Sequence, residues 1–157
     1  MFTLCLIMND WIKLESNKLN EGSEDSFRFV SSKEKVLEVM DSLIHKKGVF
    51  SIKKIPQNTI FYIIPVNDLK SFPSKGLFRL SKGVFVNDPL VLNFVNHSCE
   101  PNSKLLITQE GVFLESMRMI DVGEEITLDY TLTEEMGELI ECNCKSVKCK
   151  RFFYTTN

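Results

Sequence analysis

Three of the five cysteines in this chain fall within eight residues: Cys142, Cys144 and Cys149, spaced C-x-C-x4-C. Thiols this close either form disulfides or bind metal. The count is odd, and the apolar start (residues 1–8) lacks the basic lead-in of a signal peptide and ends at Asp10, so metal is the first reading. Three cysteines fill three corners of a zinc tetrahedron, but a closed structural site takes four ligands. Of the two remaining thiols, Cys5 reads as a small buried hydrophobe and Cys99 lies in a polar loop. Cys99 is therefore the better fourth ligand, with His97 as the other candidate.

The 157 residues are 43% hydrophobic and 25% charged, enough for one well-buried core and short for two. The net charge of -2 argues against a general nucleic-acid binder. No stretch approaches the roughly 18 apolar residues of a transmembrane helix, so the expectation is a soluble intracellular protein with no membrane partner. Charge is uneven. Residues 109–141 carry ten acidic side chains and one basic one, Arg118, whereas residues 142–157 carry four basic and no acidic ones. The acidic stretch reads either as a solvated face or as a docking surface for a basic peptide.

Many short strands with irregular connections are expected. Residues 1–8 read as a strand or short helix on the core, and residues 15–26 as a polar loop. Residues 35–40 fit neither period cleanly. Val49-Phe50-Ser51-Ile52, residues 59–64, Val84-Phe85-Val86 and Ile126-Thr127-Leu128 read as strands. Residues 104–108 and 111–115 read as a hairpin. One helical turn is expected near Leu69, and a helix over residues 131–139, where Glu134, Glu135 and Glu138 fall.

Asn96-His97-Ser98-Cys99-Glu100-Pro101-Asn102 gathers amides, an imidazole, a hydroxyl and a thiol beside an apolar segment. Side chains of this kind bond their own backbone and hold compact, non-repetitive loops. Farther on, Gly123-Glu124-Glu125-Ile126-Thr127-Leu128-Asp129-Tyr130 is a turn feeding a strand that ends in tyrosine. Taken in order with the cysteine tail, these segments resemble the NHSCxPN loop, the GEELTxDY strand and the post-SET CxCx4C tail of SET-domain protein lysine methyltransferases. The likeness spans about residues 37–153.

The resemblance implies a mainly β SET-domain fold: small curved sheets around a knot-like C-terminal crossing, with short helices. It implies three parts, an N-terminal extension and polar linker (1–34), a SET domain (35–140) and a post-SET zinc-binding tail (141–157). One structural zinc would be shared by Cys99, Cys142, Cys144 and Cys149. S-adenosylmethionine would be held by Asn96 and His97, and by the backbone of Lys47, Gly48, Val49 and Phe50, with Phe152 or Phe153 over the adenine. Tyr130 would sit beside the reacting centre and Tyr62 would line the lysine channel, with Phe94 and Leu128 as further lining. The 96–99 turn and Tyr130 should therefore stand side by side, flanking a tunnel for a lysine stem.

Lys46, Asn58 and Ile64 stand where the family carries glycines, and Leu128 where many relatives carry an aromatic residue. Leucine there implies a roomier pocket that permits more than one methylation. The implied partner is a basic lysine-containing protein, histones among the candidates. The stretch 65–89 is too short for an elaborate specificity insert, which points to a partner surface or a homodimer for substrate choice. Nucleus, cytoplasm and, for a microbial protein, a host cell are the compartments left open. Lys46 and Leu128 also motivate an alternative, a non-catalytic SET-like peptide-binding or scaffold domain with a structural zinc. A zinc-dependent nucleic-acid module, using Lys145, Lys148, Lys150 and Arg151, is disfavoured by the acidic body.

Overall fold

Runs of β-branched and aromatic residues broken by turn-forming ones build this molecule. The computed structural model describes residues 28–29, 35–65, 69–70, 78–81, 84–86, 88–108, 111–132 and 138–155. The strands are β1 (Arg28–Phe29), β2 (Leu37–Asp41), β3 (Lys47–Ser51), β4 (Thr59–Pro65), β5 (Leu69–Lys70), β6 (Phe78–Ser81), β7 (Val84–Val86), β8 (Asn96–His97), β9 (Ser103–Ile107), β10 (Gly111–Ser116), β11 (Glu125–Leu128), β12 (Glu138–Glu141) and β13 (Phe152–Thr155). Among the described residues they form four small sheets, ordered β1-β4-β10-β9, β2-β3-β11-β8, β5-β7-β6 and β12-β13. The expected hairpin is β9–β10, which pairs Val112 with Ile107 and Ser116 with Ser103.

The core cluster draws Phe61, Ile64, Val112 and Leu114 from the first sheet, Val49, Ile126 and Leu128 from the second, and Leu92 and Val95 from a 3-10 turn and its end. Val49, Leu92, Val112, Leu114, Ile120 and Ile126 are fully buried, each contributing about 1.5–3 kcal/mol relative to exposure. Strand β11 shows how one strand serves both core and surface chemistry. Ile126 and Leu128 are buried in the core cluster, so Glu125 and Thr127 point to the opposite face by strict alternation.

Strand β8 pairs with β11 in parallel, matching Asn96 to Thr127 and His97 to Leu128. Ser98 N–H extends the pairing by donating to Leu128 O at 2.9 Å. Asn102 clamps the same strand, accepting Thr127 N–H at 2.9 Å and donating to Glu125 O at 2.7 Å. The polar loop is thereby laid along the late strand, and Tyr130 follows directly.

Two sequence expectations are corrected. Leu69–Lys70 is a strand paired with β7, in place of a helical turn. Of the helix expected over 131–139, the described ends are a 3-10 turn, Tyr130–Leu132, and strand β12, Glu138–Glu141. The ladder of β12 with β13 outweighs the helix propensity of its Glu and Leu residues. The short helices of the expected fold are, among the described residues, 3-10 turns at Leu92–Phe94 and Tyr130–Leu132. No helix there is long and apolar enough to cross a membrane. The expectations for residues 1–8 and 15–26, Cys5, Glu134 and Glu135 lie outside the described residues.

Candidate active site and metal centre

The loop after β8 and the C-terminal tail bring four thiols together. The Sγ atoms of Cys99, Cys142, Cys144 and Cys149 all lie within 4.8 Å of one another, and those of Cys99 and Cys142 are 3.8 Å apart. A tetrahedron with Zn–S bonds of about 2.3 Å has edges of about 3.8 Å, so the donor set fits zinc. Left-handed backbone at Lys145 (φ 56°) and Arg151 (φ 68°) curls the tail round the cluster. Lys150 N–H and Arg151 N–H point at the sulfurs of Cys99 and Cys149, each at 3.4 Å. Burial pushes the Cys142 and Cys99 thiols up. Burial opposes ionisation of Cys144 too, but hydrogen bonds from the backbone at Cys99 and from Ser146 draw it down to about 6. Cys144 therefore ionises more readily than Cys99 or Cys142.

Glu100 ties loop to tail independently of the thiols. Its carboxylate accepts Lys148 N–H at 3.2 Å and pairs with Lys148 Nζ at 3.1 Å. The Lys148 side-chain bond holds its pKa below the ordinary value.

His97 joins this cluster to Tyr130. Its Nδ1 accepts the Tyr130 backbone N–H at 3.1 Å, which leaves the proton of a neutral imidazole on Nε2. Nε2 lies 3.5 Å from Cys99 Sγ, but the set of donor atoms within 4.8 Å of one another is the four sulfurs alone, so His97 stands beside it. Burial lowers the His97 pKa, outweighing the nearby Asp129 carboxylate, so the ring stays neutral. The Tyr130 hydroxyl donates to Val95 O. Phe153 packs on both rings, with its centroid 4.3 Å from that of His97 and 5.9 Å from that of Tyr130.

These groups line a cavity of about 220 Å³ together with Ile44, Asn96, Ile140 and Asn143. The β12–β13 register decides between the two tail phenylalanines. Phe153 pairs with Ile140, and both line the cavity. Phe152 is its neighbour on the strand, so it faces the other way and is half exposed.

None of Lys47, Gly48, Val49 and Phe50, expected to hold the cofactor, lines this cavity. Lys47 O accepts from Asn96 Nδ2 at 2.9 Å. The Val49 side chain belongs to the core. Tyr62 and Phe94 are half-buried and packed against the core, and Leu128 lies in it; none of the three lines this cavity. Lys46 and Asn58, at the family's glycine positions, take φ 39° and φ 56°.

Residues that pattern reading missed are Ser42 and Glu125, which bond Asn96, and Asp88, which holds the turn before it. Asp88 accepts the N–H groups of Leu90, Val91 and Leu92 at 3.1, 3.4 and 2.9 Å. The acidic stretch is largely consumed internally. Glu115 pairs with Lys104, Asp121 with Lys54 and Glu124 with Arg118, while Asp129 accepts from Thr131. In the described part Asp121 and Glu141 remain exposed.

A SET domain model matches residues 46–131. The histone-lysine N-methyltransferase set1 of Dictyostelium discoideum is 29% identical over 147 residues, covering 89% of this chain and 9% of that protein. The H3 lysine-4 specific histone-lysine N-methyltransferase of Schizosaccharomyces pombe is 31% identical, covering 80% of this chain and 16% of that protein. The chain thus matches only a small part of each relative's length. Among solved structures, Arabidopsis thaliana SUVH6 in complex with SAM superposes with a TM-score of 0.63 at 18% identity, over 75% of this chain and 33% of that one. The methyltransferase domain of human SETMAR superposes with a TM-score of 0.56 at 16% identity, over 77% of this chain and 59% of that one.

Proposed function

Because the chain belongs to the SET-domain family, we propose that it transfers a methyl group from S-adenosylmethionine to the ε-amine of a lysine in a basic protein, with a histone as leading candidate. One observation carries this reading: Asn96, His97, Tyr130 and Phe153 surround one cavity directly beside the four-thiol cluster. The naming of the relatives as histone-lysine methyltransferases supports the substrate class, and with it a nuclear setting. In this reading residues 35–140 form the catalytic domain, 141–157 the zinc tail and 1–34 an extension.

The residues present fit the cofactor. Phe153 and Ile140 offer an apolar wall for a flat base, and Asn96 offers a polar group to the amino-acid end. S-adenosylmethionine supplies an electrophilic methyl group on a cationic sulfur. Tyr130 then acts by orientation. Its proton is engaged by Val95 O, so the phenol oxygen keeps lone pairs to hold a polarised C–H group through weak contacts. A hydroxyl already donating in this way serves alignment and not proton abstraction. The lysine amine must be neutral to attack, against an ordinary pKa of about 10.4. Tyr62, Phe94 and Leu128 lie outside the cavity, so a water-poor approach to Tyr130 would be what disfavours the ammonium form. The protein's contribution is then chiefly alignment and exclusion of water.

The zinc would be structural, since four thiolates leave no open position. It would hold Phe153 over His97 by fixing the tail on either side of Cys149.

The test is transfer of a radiolabelled methyl group onto a panel of basic proteins, with Tyr130→Phe alongside. Wild type should label at least one of them. The variant, still folded by circular dichroism, should lose on the order of a hundredfold in rate. Undiminished transfer by Tyr130→Phe would remove its assigned role. A wild type that retains the cofactor yet labels nothing would favour the peptide-binding reading.

A further inference from the structure

Asn96 is almost wholly buried, at 8% exposure, and its side-chain hydrogen bonds are one-sided. Its Nδ2 lies 2.6 Å from Glu125 Oε1, 2.9 Å from Lys47 O, 3.2 Å from Ser42 Oγ and 3.4 Å from His45 O. A carboxamide nitrogen has two hydrogens, and the two nearest acceptors take them. Among the described residues nothing donates to Asn96 Oδ1, while Asn96 lines the cavity. Turning the amide over would set Oδ1 against a carboxylate and a carbonyl at hydrogen-bond distance, so one orientation is enforced.

Glu125 is itself held in place. Ser42 Oγ lies 2.8 and 2.9 Å from its two carboxylate oxygens and shares its one hydrogen between them, while accepting Ile44 N–H at 2.9 Å. Gly48 makes room for it: a Cβ at that position would stand 2.2 Å from Glu125 Oε1. The register explains the meeting. Phe50 is paired with Glu125 and Met40 with Gly48, and Asn96 with Thr127, so alternation brings Ser42, Gly48, Glu125 and Asn96 to one face of the β2-β3-β11-β8 sheet.

We propose that Ser42 and Glu125 are positioning residues for cofactor binding, locking Asn96 with its Oδ1 turned into the cavity as the acceptor for an ammonium N–H of the cofactor's amino-acid end. The inference rests on the methyltransferase reading. It also gives Gly48 a second reason to be glycine, which is space for the Glu125 carboxylate. Ser42 lies outside the segment matched by the SET domain model, so no motif marks it.

The test is calorimetric binding to the full zinc-loaded chain of two probes: S-adenosylhomocysteine, and its des-amino analogue with hydrogen in place of the α-amino group. Glu125→Ala should weaken S-adenosylhomocysteine by about tenfold or more, as expected for a misdirected charge-assisted bond, and the des-amino analogue by less than about twofold. Glu125→Gln keeps an acceptor for Asn96 and should stay within about threefold of wild type for both. Ser42→Ala should show the same selectivity at about threefold. In the cofactor-free protein, the Asn96 side-chain amide protons should exchange slowly in wild type and faster in Glu125→Ala.

Unchanged S-adenosylhomocysteine affinity in Glu125→Ala would overturn the inference. Parallel losses for the two probes would overturn it too, because they would mark a merely structural role. If wild type binds neither probe, the methyltransferase reading falls and takes the inference with it. If wild type binds both and the variants show no selectivity, the inference falls alone.

Discussion

Lys46 holds a backbone conformation, φ 39°, that costs a residue with a Cβ about 1–2 kcal/mol. Its long straight side chain is exposed, so the cost stays in the backbone. Lys46→Gly should be neutral or stabilising by up to about 1 kcal/mol, while Lys46→Val should destabilise by more than about 1 kcal/mol, read from denaturant midpoints. Glu124 gives a pH-dependent counterpart. Burial opposes its charge, but hydrogen bonds from Arg118, Asn102 and Asp121 N–H win and lower its pKa below the ordinary 4.5. The folded state therefore binds this proton less readily than the unfolded chain. The stabilisation is complete above about pH 5 and is lost as pH falls through the lowered value. Partial exposure limits it to less than about 1 kcal/mol. Wild type should lose stability between about pH 5 and pH 3 more steeply than Glu124→Gln, in thermal melts across that range. Gly123, at φ 82° in the turn Asp121-Val122-Gly123-Glu124, was legible as a turn glycine in advance, because Gly suits the third position of such a turn.

At the level of elements, strands were legible wherever both neighbours in the sequence agreed with the pairing. Residues 59–64 and 111–115 have β-branched and aromatic content that any pleated surface accepts, and β4 and β10 pair with each other. Residues 131–139 misled because the partner of β12 is β13, at the far end of the tail. The 3-10 turn Leu92–Phe94 was read only as an apolar segment. Asp88 is buried and gathers the first N–H groups of that turn, which in turn sets the direction of β8. Asp88→Ala should strand these donors and destabilise by about 1–3 kcal/mol in urea unfolding. Asp88→Asn, which keeps one acceptor oxygen, should recover part of that loss.

For the whole molecule, loop and tail are joined by three kinds of contact: the thiol cluster, the Glu100–Lys148 clasp and the packing of Phe153 on His97. X-ray absorption of the zinc-loaded protein should show a shell of four sulfurs at about 2.3 Å. A shell of three sulfurs and one nitrogen would instead make His97 a ligand. Removing the metal with a strong chelator should release Phe153 from His97 and weaken S-adenosylhomocysteine binding by about tenfold or more, measured by calorimetry. Cys99→Ser should reproduce the effect at full metal supply.

The chain's order of motifs determined by itself which groups would be available: a polar turn, a strand closing on tyrosine and a thiol-rich tail. Local chemistry dictates that much, because turn residues, alternation and cysteine spacing act over a few positions. Only the tertiary structure decided that Phe153 and not Phe152 meets His97, that His97 stands beside the cluster and outside it, and that Ser42 and Glu125 aim Asn96. Those outcomes depend on register between strands far apart in the chain, and a shift of one residue would turn each side chain to the opposite face.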